Sequence, residues 1–196
     1  VRSLIQLFKN RNNALWIHTS KFEYFKTQIL DPLSDRVSIS YPDIPRASKK
    51  QLDQHLYYTD TETIIYLDES QEYVTLTPVM RYGDVEVPVR SKRQIFGIDE
   101  SGKSYIVERQ QDRETALSGL LIRQHPYFEE QLDESFLYFY LHRKHFLNED
   151  WFLNVFEEWH SQGIRVIGFD TLKNNTISPF KANINIEVLS GINWFN

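Results

Sequence analysis

The sequence predicts an α+β fold, an antiparallel β meander followed by a C-terminal part rich in helices and strands. Three observations carry this expectation. Strand signals crowd into residues 57–109, two helices with apolar residues at helical spacing follow residue 110, and strand-like runs return at 164–169 and 183–188. With 196 residues, 41% of them apolar and 14% aromatic, the chain is long and hydrophobic enough to bury a core.

The texture divides the chain into 1–56, 57–109 and 110–196. The first region is mixed. A helix is expected over 20–30, ended by Asp31-Pro32, and another over 49–56, with Pro42 and Pro45 marking an irregular connection. In the second region the runs at 63–67 and 73–77, and Val85, Val87 and Val89 alternating with polar neighbours, read as consecutive antiparallel strands. Tyr82-Gly83-Asp84 supplies one turn, and Asp99-Glu100-Ser101-Gly102 another between 94–96 and 105–107.

The third region opens with a helix whose Ala116, Leu117, Leu120 and Leu121 share a face, stopped by His125-Pro126. A second helix has Asn148 as its cap and Glu149 and Asp150 at its positive end. Trp151, Phe152, Val155, Phe156 and Trp159 recur along it at helical spacing, and Gly163 ends it.

Composition excludes several function classes. Without cysteine there is no disulfide, thiolate nucleophile or thiolate metal site, which suits a cytoplasmic location. No apolar run reaches the roughly 20 residues that span a bilayer, and no signal-peptide pattern opens the chain, so no membrane partner is expected. The segment 126–158 holds eight acids against Arg143 and Lys144, more than the whole formal charge of -5, which leaves the remainder close to neutral. A stand-alone nucleic-acid binder normally shows a basic face instead.

Val1 opens the sequence and Met80 is its single methionine, so an excised or processed piece is expected. At the other end the chain stops on Gly191-Ile192-Asn193-Trp194-Phe195-Asn196, just after a strand-like run. Region 110–196 is therefore expected to be truncated, with Trp194 and Phe195 packing on a following element.

Gly97, Gly102, Lys103 and Ser104 satisfy the phosphate-loop spacing GxxxxGK[ST]. A working loop needs a helix to start at Lys-Ser so that backbone N–H groups face the phosphates, whereas Tyr105-Ile106-Val107 is strand chemistry. Asp99 and Glu100 would also repel nucleotide. A hairpin turn is the preferred reading. Asp68-Glu69 after an apolar run imitates a magnesium-binding strand, but in the wrong order.

His142 and His145, with Glu149, Asp150 and His160 nearby, suggest a metal cluster, yet the spacing is not that of a zinc enzyme and a structural role is preferred. Phe136, Tyr138, Phe139 and Tyr140 have the character of base-stacking residues, with Arg143 and Lys144 for a phosphate backbone; the flanking acids favour a core strand. Arg90, Lys92 and Arg93 form the better basic patch for DNA, against the plainer reading of a surface turn. No catalytic constellation emerges from spacing. The fragment is expected to be non-catalytic and to hold no cofactor or metal; a carboxylate hydrolase is the remaining enzymatic alternative.

The runs Asn148-Glu149-Asp150-Trp151-Phe152, Gly163-Ile164-Arg165-Val166-Ile167-Gly168-Phe169 and Leu189-Ser190-Gly191-Ile192-Asn193-Trp194-Phe195-Asn196 resemble the bacterial Swi/Snf helicase-associated region. In that family a helix leads into a G-I-x-V strand and then a G-I-x-W-F-D signature. The likeness covers chiefly residues 136–196, and Asn196 stands where the family has Asp. The resemblance implies an accessory domain upstream of a two-lobed, DNA-dependent ATPase motor in the same polypeptide, and the fragment is expected to be monomeric. ATP and magnesium would belong to that motor, and DNA would be reached through the parent. The alternative is a protein-protein interaction module whose acidic stretch meets a basic partner without nucleic-acid contact.

Overall fold

The computed structural model describes residues 16–168 and Leu172. Its class is the one the sequence predicts, α+β with an antiparallel meander followed by helices and further strands. The strand-like run expected at 183–188 lies outside the described residues.

The meander is built by β1 (Thr61–Ser70), β2 (Tyr73–Tyr82) and β3 (Val85–Pro88). β1 and β2 pair antiparallel along their full length, Thr61 opposite Tyr82 and Ser70 opposite Tyr73. Gln71 takes a positive φ of 57° in the tight connection. Gly83 turns β2 into β3 at φ 57°, and a Cβ there would strike the His55 carbonyl oxygen, so only glycine fits that turn. A separate hairpin joins β4 (Ile95–Ile98) to β5 (Ser104–Val107).

The rest of the chain completes the larger sheet. β6 (Phe139–His142) pairs antiparallel with the first half of β2, while β3 pairs with its second half, so both flank β2 opposite β1. β7 (Arg165–Ile167) joins β1 in parallel, Ile64 opposite Arg165. Among the described residues this sheet has five strands, taken from both sides of residue 110.

Helices supply the second layer. The N-terminal helical stretch runs from a 3-10 turn, Thr19–Lys21, through α1 (Phe22–Phe25) and a π turn, Lys26–Leu30, to α2 (Asp31–Ser34). The expected stop at Asp31-Pro32 is corrected here. Pro32 sits in the first turn of α2, where its missing N–H costs nothing, and the Asp31 N–H reaches back to Lys26 O across the π turn. α3 (Lys49–Gln54) opens on a capping box in which Ser48 and Gln51 satisfy each other's backbone groups. α4 (Gln111–Gln124), α5 (Pro126–Glu130), α6 (Arg143–Phe146) and α7 (Glu149–Ser161) follow.

Alternation decides which face each strand buries. Ile65 and Leu67 of β1, Val74 and Leu76 of β2, and Phe139 and Leu141 of β6 point to one side. Leu117, Leu120 and Leu121 of α4, Phe128 of α5, Phe146 of α6 and Phe152, Val155 and Trp159 of α7 pack onto that side. Trp159 is fully buried, and its Nε1–H donates to Gln124 Oε1 at 2.9 Å while the Trp151 Nε1–H donates to the Gln124 carbonyl at 2.7 Å. Both indoles satisfy their polar edge on one residue. A smaller cluster around Met80, Tyr82, Ile95, Tyr105 and Val107 ties the β4–β5 hairpin to the far end of the meander.

Candidate functional site

The phosphate-loop lookalike is the connection of the β4–β5 hairpin. Asp99 Oδ1 accepts from the Ser101 N–H at 2.9 Å, the Ser101 hydroxyl at 2.7 Å and the Lys103 N–H at 2.9 Å, while Gly102 adopts φ 80°. These bonds, that of the Ser101 hydroxyl foremost, hold the Asp99 carboxyl below its ordinary pKa. The amides of Ser101 and Lys103 are thus occupied by a side-chain carboxylate, and strand β5 begins at Ser104 where a nucleotide site needs a helix. Gly97 lies in β4, where a Cβ would overlap the Tyr105 ring. Asp68 caps its neighbour's N–H, and Glu69 is paired with Arg143 at 2.7 Å.

The histidines around α5 and α6 serve local structure. His125 Nδ1 accepts the Tyr127 N–H and His142 Nδ1 accepts the Lys144 N–H, each at 3.2 Å, so each ring caps the short helix that follows it. The His145 ring lies between them, 5.8 Å from His125 and 6.3 Å from His142. Burial, and then the neighbouring His145, push the His125 pKa down. Among the described residues, no group of three or more histidine or carboxylate side chains is placed to hold a metal ion.

The three basic residues chosen for DNA separate. Arg90 turns inward: its guanidinium donates to the carbonyls of Tyr138, Gln131, Leu132 and Glu134 at 2.8 to 3.3 Å and lies 4.8 Å over the Phe139 ring. Burial lowers its pKa from the ordinary value. Arg93 is paired with Asp35 at 2.8 Å yet keeps half its side chain in solvent, and Lys92 is exposed. Lys92 and Arg93 border a cleft of about 500 Å³ that Lys26, Asp31 and Tyr41 also line. Trp194 and Phe195 lie outside the described residues.

Arg109, which sequence spacing gives no reason to single out, fixes this loop. It bonds Glu114 at 2.8 Å and donates to the carbonyls of Pro88, Val89, Ser91 and Arg93, so the chain on both sides of Lys92 hangs from one guanidinium. The Tyr82 hydroxyl donates to the same Glu114 oxygen at 2.5 Å and accepts the Gln110 N–H. Burial and that bond raise the Tyr82 pKa far above its ordinary value.

The aromatic residues of 136–140 also divide. Phe139 is fully buried, whereas Phe136 stacks on Tyr138 at 5.1 Å and stands edge-on to Tyr140, which in turn meets Tyr73 of β2. Local sequence gives no reason to place Tyr73 in this group, because only the β2–β6 register brings it there.

Compared with family models, curated proteins and solved structures, the chain matches none of them.

Proposed function

We propose that the chain is a non-catalytic accessory domain of a Swi/Snf-like, ATP-driven DNA translocase, which positions DNA for the motor or regulates it. The supporting observation is the geometry of the segment that carries the resemblance. Asn148 accepts the Trp151 N–H to cap α7, Gly163 ends that helix at φ 70°, and Ile164 is buried. β7 then adds to the sheet, and Gly168 at φ 94° lies where a Cβ would overlap the Leu67 carbonyl oxygen. Both glycines of the motif thus take the positive φ that glycine favours, and at Gly168 the Leu67 backbone also excludes a side chain.

In this reading ATP, magnesium and the hydrolytic residues belong to a motor elsewhere in the parent polypeptide, and this part is a cytoplasmic monomer. No helix of the described residues is long and apolar enough to cross a membrane. Lys92 and Arg93, held out by the Arg109-anchored loop, are the DNA-facing residues of choice. Arg90 has too many internal partners for that work.

Duplex binding by the isolated chain, followed by fluorescence anisotropy over a salt series, tests the DNA contact. Alanine at Lys92 and Arg93 should lower the slope of log affinity against log salt by about 1 per residue. An unchanged slope, or no binding to begin with, favours the second reading, a protein-interaction module without nucleic-acid contact. The pairing of Arg93 with Asp35 and the inward turn of Arg90 support that alternative.

A further inference from the structure

The face of the sheet turned away from the helices carries a continuous row of rings. Tyr138 stacks on Phe136 with planes 11° apart, Phe136 lies 6.3 Å from Tyr140, Tyr140 5.6 Å from Tyr73, and Tyr73 5.4 Å from His142, all but the first pair edge-on. Phe136 is 41% and Tyr73 42% exposed, in a region where alternation leaves Tyr140 and His142 on the outer side of β6. Carboxylates border the row. Glu134 accepts the Tyr140 hydroxyl at 3.1 Å, and the well-exposed Glu72 lies 3.6 Å from His142 Nε2.

The arginines next to this row are committed elsewhere. Arg143 pairs with Glu69, and Arg90 is bound to carbonyls beneath. Exposed rings with an open carboxylate, Glu72, at their edge recognise a planar cation best: a guanidinium stacks on the ring faces while its N–H groups reach that acid. A single-stranded nucleic acid would find the same rings, but its phosphates would have to pass Glu72 and Glu134, which repel them.

We infer that this face docks an extended, arginine-bearing peptide segment of a partner protein, with guanidinium groups on Phe136, Tyr140 and Tyr73 and a charge pair at Glu72. The inference stands on the surface alone and does not depend on the ATPase reading.

The test titrates the whole chain with a fluorescein-labelled peptide of alternating arginine and glycine, and separately with a labelled oligothymidine. Phe136→Ser and Tyr73→Ser, both at exposed positions, should each weaken peptide binding about tenfold. Glu72→Gln should weaken it and flatten its salt dependence, while Glu157→Gln, on the exposed side of α7, should change it less than about twofold. Circular dichroism confirms that each variant is folded. Three results overturn the inference: no peptide binding, binding that falls equally for Glu157→Gln and leaves the ring variants untouched, or oligothymidine binding that needs the same rings.

Discussion

The Gln131 carboxamide pairs with both backbone groups of Tyr140: its Nε2 donates to the Tyr140 carbonyl and its Oε1 accepts the Tyr140 N–H, each at 2.8 Å. Among the described residues β6 is the outer strand at this end of the sheet, and the buried Gln131 side chain takes the place of a neighbouring strand there. Two edge groups that would otherwise invite pairing with another chain are closed. Gln131→Leu should cost about 2–3 kcal/mol in urea unfolding, since it strands a buried donor and acceptor. Dimer formation on size-exclusion chromatography should accompany it.

Arg109, Glu114 and Tyr82 form the second buried polar centre, with Arg109 and Glu114 side chains only 12% and 8% exposed. Removing one partner leaves the other charge uncompensated. Arg109→Ala should destabilise the fold by about 3–5 kcal/mol, and Tyr82→Phe by about 1 kcal/mol. If the Lys92 loop hangs from Arg109 as described, protease cleavage at Lys92 or Arg93 should also accelerate in Arg109→Ala before global unfolding.

The sign of the pH dependence follows from His125. Burial and His145 hold its folded pKa below the unfolded value near 6.5, so the unfolded chain binds the extra proton first. The stability contribution is present above the unfolded pKa and is lost as pH falls through the window between the two. Melting temperature should therefore drop as pH is lowered from neutrality through the histidine range. His125→Asn keeps a capping acceptor without a titrating ring and should shallow that drop.

The hairpin reading of 97–104 gives a sharp contrast of variants. Lys103→Ala should leave stability unchanged within about 0.5 kcal/mol, and the wild-type chain should show no magnesium-dependent ATP binding by calorimetry. Gly102→Ala, at φ 80°, should cost about 1 kcal/mol. Gly168→Ala adds a collision with the Leu67 carbonyl to an unfavourable φ and should cost more than Gly163→Ala, where the space around a Cβ is open.

Local chemistry made much of this legible. Asn148, the apolar spacing of 151–159 and Gly163 specify α7 without help from the rest of the chain, and β1 and β2 show their alternation directly. What local pattern does not carry is pairing at a distance. Arg90 reads as part of an exposed basic run because its acceptors lie 41 to 48 residues away in sequence, and Tyr73 joins the ring row only through the β2–β6 register. The helical stretch runs on across Pro32 because that residue falls in the first turn of α2, which spacing alone does not mark. Residues 148–168 of the resemblance to the helicase-associated region can be placed in the fold, whereas its 191–196 signature lies outside the described residues.

In the proposed function this chain serves an ATPase motor that lies outside residues 1–196. The direct test compares DNA-stimulated ATP hydrolysis by the parent polypeptide with and without this domain, beside the isolated chain. The isolated chain should hydrolyse no ATP, and removal of the domain should change the parent's DNA-stimulated rate several-fold. A parent without ATPase activity, or a stimulated rate indifferent to the deletion, would contradict the proposed function.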